Sequence, residues 1–142
     1  MLRYPLTHPP LLAALAAAGH GSKVLLADSN YATDVNVRPG ATVVHLNLRA
    51  GLIPVDEVLD VIIQTIPIEA AAVMRPDDGS GPTAAVWDRY TELLGPDLPL
   101  EPIPRADFYA AARSPQLAVA IATGDERLYA NLLLTIGFIP PR

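Results

Sequence analysis

The sequence predicts an α/β fold, a sheet covered by helices on both faces in a three-layer α/β/α sandwich. Three observations carry that prediction. Apolar runs of strand length recur, among them "KVLLAD", "ATVVHL" and "QLAVAIATG". Between them lie segments of helical spacing, of which "PVDEVLDVIIQTI" has apolar residues at 55, 58, 59, 62, 63 and 66. The 15 prolines imply sharply ended elements and defined loops. Strands alternating with helices argue for a sheet with helices on each side.

In chain order, residues 9–18 read as a first helix, opened by a proline pair and ended by Gly19 and Gly21. Residues 23–28 form a buried strand, followed by the loop "SNYATDVNVRPG" with turn residues at both ends. The β-branched run 41–46 is a second strand, and 54–66 a helix entered through Pro54. Residues 69–74 make a strand of weaker pattern because alanine favours helices. An exposed loop, "RPDDGSGP", leads to a helix over 83–95 with Val86, Tyr90 and Leu93 on one side. "PRADFYAAAR" is a further short helix, and 116–124 and 131–137 are strands. With no internal repeat and no low-complexity linker, residues 1–142 read as a single domain.

A formal charge of −5 without a basic run argues against nucleic acid or an anionic membrane surface as partner. The chain has no cysteine, which removes disulfides and thiolate chemistry and fits a reducing compartment. "LLAALAAAGHG" imitates a signal-peptide core, but prolines abut it and one arginine precedes it, so it reads better as a helix. No apolar run reaches the roughly 18 residues of a membrane span. A cytoplasmic protein is expected.

Gly-rich phosphate loops, GxSxG and HExxH are all missing from the sequence. His8, His20 and His45 lack metal-ligand spacing, so a bound metal is not expected. His8 reads as exposed, and His45 as a strand residue with a satisfied hydrogen bond. His20 stands between two glycines at a helix-to-strand junction, its imidazole unshielded by neighbours. Two readings stand for it. It reaches the ligand crevice at the carboxyl ends of the strands, its own or a neighbouring subunit's, or it caps the first helix.

Asp28 ends a strand, where it suits either a ligand or a turn through Ser29 and Asn30. Tyr129 and Asn131 lie two apart before an apolar strand, so phenol and amide face one way. They converge on a ligand or are polar punctuation at a strand start. Arg105 sits in a helix's first turn, where the macrodipole slightly disfavours a cation, which suggests another reason for its presence.

Taken in order, "LLAALAAAGHGSKVLLADSNY", "PRADFYAAAR" and "ATGDERLYANLLLTIG" resemble the ribose pyranase / fucose mutarotase family (RbsD/FucU) over nearly the whole chain. The resemblance implies an RbsD-like fold and a cofactor-independent isomerase that interconverts anomers or ring forms of a reducing sugar. It implies His20 as catalytic acid–base and Asp28, Arg105 and the triplet Tyr129, Ala130 and Asn131 as sugar-binding residues. It also implies a homo-oligomer, a ring or a decamer-like assembly, with sites near subunit interfaces. An L-fucose-like substrate is expected first and D-ribose next. Three features depart from the fucose pattern: "LRAGLIP" lacks that branch's aspartate, Tyr31-Ala32 replaces its aromatic-proline pair, and "AARSPQLAVAIATG" is longer by about two residues. A sugar-binding accessory protein of a transport system, without catalysis, is the alternative.

Overall fold

The computed structural model describes residues 1–79 and 84–142. Among them the order is α1 (Pro9–Ala17), β1 (Lys23–Ala27), β2 (Thr42–His45), α2 (Val55–Ile63), β3 (Ile68–Arg75), α3 (Ala84–Leu94), β4 (Leu100–Pro104), α4 (Arg105–Ala112), β5 (Leu117–Ala122) and β6 (Leu132–Ile136). Thr83, the expected start of α3, and the end of the "RPDDGSGP" loop lie outside the described residues.

The six strands form one sheet in the order β2-β5-β1-β6-β3-β4. β5 is parallel to β1 and β2, and β3 is parallel to β4, while β6 runs antiparallel to both β1 and β3. The start of β6 therefore lies beside the end of β1. The link from β5 to β6 must cross over that end, because β5 and β6 flank β1 on opposite sides.

Strand alternation sorts the core into two layers. Val24 and Leu26 of β1 join Leu132 and Leu134 of β6 on one face, with Leu11 and Leu15 of α1, Val58 and Ile62 of α2, and Val86 and Tyr90 of α3. Leu25 and Ala27 join Leu133 on the other, against Phe108 and Ala112 of α4 and Tyr31 and Val37 of the loop after β1. Burying each large apolar side chain, such as Leu25 or Leu132, stabilises the fold by about 1.5–3 kcal/mol. In α2 the buried residues Val55, Val58, Leu59 and Ile62 follow the helical stripe. That helix ends at Ile63, earlier than the stripe suggests, because the chain must turn at Pro67 into β3.

β4, a strand outside the sequence expectations, carries the sequence "LEPIP" and sits at the sheet edge, where the missing N–H donors of its two prolines cost nothing. The structure also corrects two expectations. His8 is half-buried, not exposed, because its Nδ1 accepts the Leu11 N–H (3.3 Å) and caps α1. His45 ends edge strand β2 with its side chain in solvent. No helix among the described residues is long and apolar enough to cross a membrane.

Candidate active site

Asp28 follows the last residue of β1, and Asn131 immediately precedes β6. Their strands are antiparallel neighbours, so the two side chains meet although 103 residues separate them. The Asn131 carboxamide oxygen accepts the Asp28 N–H (2.8 Å), and its Nδ2 donates to Asp28 Oδ2 (3.0 Å). Asp28 Oδ1 accepts the Asn30 N–H (3.0 Å). Asp28 thus forms the turn expected through Ser29 and Asn30, and its side chain lines a cavity. Asp28 is 6% exposed and Asn131 5%. Burial lifts the Asp28 carboxyl above the ordinary value of 3.8, and the nearby Asp125 charge adds to this against the opposing N–H groups of Asn30 and Tyr31.

The crossing link is held down at several points. Thr123 Oγ1 donates to the Ala27 carbonyl (2.7 Å), and the Ser29 N–H donates to the Asp125 carbonyl (2.8 Å). Gly124 passes so close to the 49–52 segment that a Cβ there would overlap the carbonyls of Leu52 and Arg49. Asp125, 2% exposed, accepts the Val55 N–H at the start of α2 (2.9 Å) and is gripped by Arg127, which also binds Asp56. Burial pushes the Asp125 carboxyl up, but the Arg127 hydrogen bonds and the N–H groups of Val55 and Arg127 outweigh it and hold it below its ordinary value.

Beyond that clamp the backbone is held by α3. Tyr129 adopts φ +58°, a left-handed conformation costly for a bulky residue. Its carbonyl accepts from Trp87 Nε1 (3.4 Å), and the next carbonyl, that of Ala130, accepts the Tyr90 hydroxyl (2.6 Å). Helix α3 thus sets the backbone that aims Tyr129 and Asn131 into one cavity.

This cavity is a cup of about 240 Å³ lined by Asp28, Asn30, Tyr31, Met74, Arg105, Tyr109, Leu128, Tyr129 and Asn131. Arg105 opens α4, and its guanidinium lies 5.6 Å from the Tyr109 ring centroid. Tyr109 in turn packs on Tyr31 (5.6 Å), whose hydroxyl donates to the Asn36 carbonyl (2.8 Å). Four of the six expected site residues, Asp28, Arg105, Tyr129 and Asn131, therefore share one cup. Ala130 is fully buried beneath it.

His20 is elsewhere. It precedes β1, whereas Asp28 follows it, and the four residue steps of β1 alone span about 13 Å. Gly21, at φ +82°, turns the chain into the strand. The imidazole does not cap α1: its Nε2 meets Glu69 Oε2 at 2.8 Å, at the amino end of β3. Within one chain His20 and the cup lie at opposite ends of the central strand β1.

Sequence reasoning missed Asp125, Arg127, Trp87 and Tyr90, which hold the cup without entering it, and Tyr109 and Met74, which line it. The run "DERLYAN" carries the clamp in plain sight, but the partner of Arg127, Asp56, lies 71 residues away. Among the described residues no group of three His, Cys, Asp or Glu side chains is placed to hold a metal ion.

Compared with known proteins, residues 1–139 match the RbsD / FucU transport protein family. The chain belongs to that family. Its RbsD / FucU relatives include the fucose mutarotase of Danio rerio, 36% identical over 94% of this chain and 90% of that protein. D-ribose pyranase 2 of Streptomyces griseus is 34% identical over 89% of this chain and 90% of its own. Bacillus subtilis RbsD, solved in complex with D-ribose, superposes with a TM-score of 0.84 at 20% identity, covering 99% of this chain and all of that one. This last likeness establishes the RbsD fold.

Proposed function

We propose that this RbsD / FucU chain is a monosaccharide mutarotase, an isomerase that interconverts the anomers or ring forms of a reducing sugar. The identity to fucose mutarotases makes an L-fucose-like sugar the first substrate to test, with D-ribose next. One observation carries the reading. In a chain of this family, a buried carboxylate, an amide, a phenol and a guanidinium line a cup on the scale of a small polyol. Asp28 accepts from hydroxyls, the Asn131 amide donates to them, Tyr129 does both, and Arg105 donates from the rim. Met74 and Leu128 give the cup an apolar wall.

Ring opening takes a proton from the anomeric hydroxyl as the ring C–O bond breaks, and puts a proton on the ring oxygen. Reclosure on the other face reverses both transfers. An imidazole exchanges protons near neutral pH, which suits His20 to the general acid–base role. Because His20 is remote from its own chain's cup, it acts at the cup of a neighbouring copy, in a cytoplasmic homo-oligomer. Ala130 contributes its buried backbone to the Tyr129–Asn131 triplet, not a side chain to the sugar.

Saturation-difference NMR of anomer exchange, with L-fucose and D-ribose and with wild type against His20→Ala, tests this directly. Exchange faster than in buffer, lost by about 100-fold or more in the variant, is the expected result. Binding without acceleration would favour an accessory sugar-binding protein, a reading for which the catalyst-poor cup of the single chain speaks.

A further inference from the structure

The amino edge of the sheet contains a device that the cup does not explain. β3 pairs Ile68 with Ile136 and Ala70 with Thr135, so the register shifts at Glu69 and leaves it as the extra residue of a bulge. Bulges re-aim a side chain out of the alternating pattern. Here the re-aimed carboxylate reaches the His20 imidazole, 49 residues away (2.8 Å). The neighbouring backbone is arranged around that contact. Gly21 N–H donates to the Ile136 carbonyl (2.9 Å) and Gly137 N–H to the Pro67 carbonyl (2.9 Å), which joins the His20 loop, the end of β6 and the start of β3. A Cβ at Gly137 would stand 3.3 Å from Glu69 Cβ, crowding the carboxylate's stem. The Phe138 ring packs beside the imidazole, with ring centroids 5.6 Å apart.

The geometry points to Glu69 as a positioning residue that sets the orientation and tautomer of His20. This rests on the reading of His20 as the acid–base group. A carboxylate only accepts, so Nε2 carries the proton in the neutral ring. Nδ1 then holds the free lone pair, and among the described residues no hydrogen bond reaches it. Nδ1 is therefore the nitrogen that takes the anomeric hydroxyl proton and gives it up again on reclosure. A surface contact of this kind between exposed side chains adds little to stability, so its effect is on the imidazole and not on the fold.

The test uses the full chain with L-fucose and D-ribose as probes, comparing wild type with Glu69→Ala, Glu69→Gln and His20→Ala. Expected for Glu69→Ala is a kcat lower by about 10- to 100-fold with KM within about twofold, because the cup is untouched. Glu69→Gln, whose amide oxygen still accepts from Nε2, should recover most of the loss. Imidazole 15N spectra, assigned by the peak missing in His20→Ala, should show the Nε2-protonated tautomer in wild type and a mixture in Glu69→Ala. An unchanged tautomer, or a Gln variant no better than Ala, overturns the positioning role while leaving His20 as catalyst. Full exchange by His20→Ala would overturn both readings together.

Discussion

At the carboxyl end of β1, Asp28 is 6% exposed and both its oxygens are engaged, by Asn30 and Asn131. At the amino end, the His20 side chain is 57% exposed and Glu69 41%, and one hydrogen bond joins them. One chain completes the first arrangement: the β5–β6 link crosses β1, and α2 and α3 pin the link. The second is poised but open, with more than half of the imidazole in solvent. On the proposed reading, the difference separates binding from proton transfer. Hydroxyl recognition needs a rigid, dry frame, and the fold builds it from three layers. A proton-transferring imidazole needs only orientation and access, which a short glycine-flanked loop and one carboxylate supply.

Breaking the frame should have the largest effect. Arg127→Ala leaves Asp125 buried without its cation, and should destabilise the protein by roughly 2–3 kcal/mol, less than for a fully buried pair because Arg127 reaches solvent. Denaturant unfolding checks this. Asp125 has a depressed carboxyl in the folded state, so its stabilisation is complete above the ordinary value of 3.8 and is lost as pH falls through the depressed one. The gap between Arg127→Ala and wild type should therefore be full at neutral pH and narrow in acid.

Asp28 sharpens the comparison with the opposite sign. Its folded carboxyl is raised, so its contribution is complete below 3.8 and lost as pH rises through the raised value. The Tm of Asp28→Asn relative to wild type should increase between pH 4 and pH 7. The same variant should bind sugar about 10- to 100-fold more weakly, the scale of hydrogen bonds to a charged group, by titration with L-fucose. Two buried carboxylates at neighbouring strand ends thus differ: Asp125 stabilises the frame, whereas the burial of Asp28 carries a cost.

Much of this was legible in the sequence where the signal is local. The apolar run of β1, the stripe of α2 and the alternation of strands and helices each follow from periodicity. β4 escaped because its prolines mask an edge strand. The direction of β6 is set by a link crossing β1, which no periodicity encodes, and the Asp28–Asn131 pair depends on it. The separation of His20 from Asp28 was implicit in their flanking one strand, since the ends of a strand cannot meet. Glu69 was invisible, because a bulge aims it at a residue 49 positions away.

The central claim is that one copy's His20 serves another copy's cup. Its most direct test co-expresses His20→Ala chains, which keep the cup, with Asn131→Ala chains, which keep the histidine. Each alone should leave sugar exchange near the buffer rate. Random co-assembly should pair an intact cup with an intact histidine at about one quarter of the sites and restore that share of wild-type exchange. Mixed assemblies that exchange no faster than either parent would contradict the account.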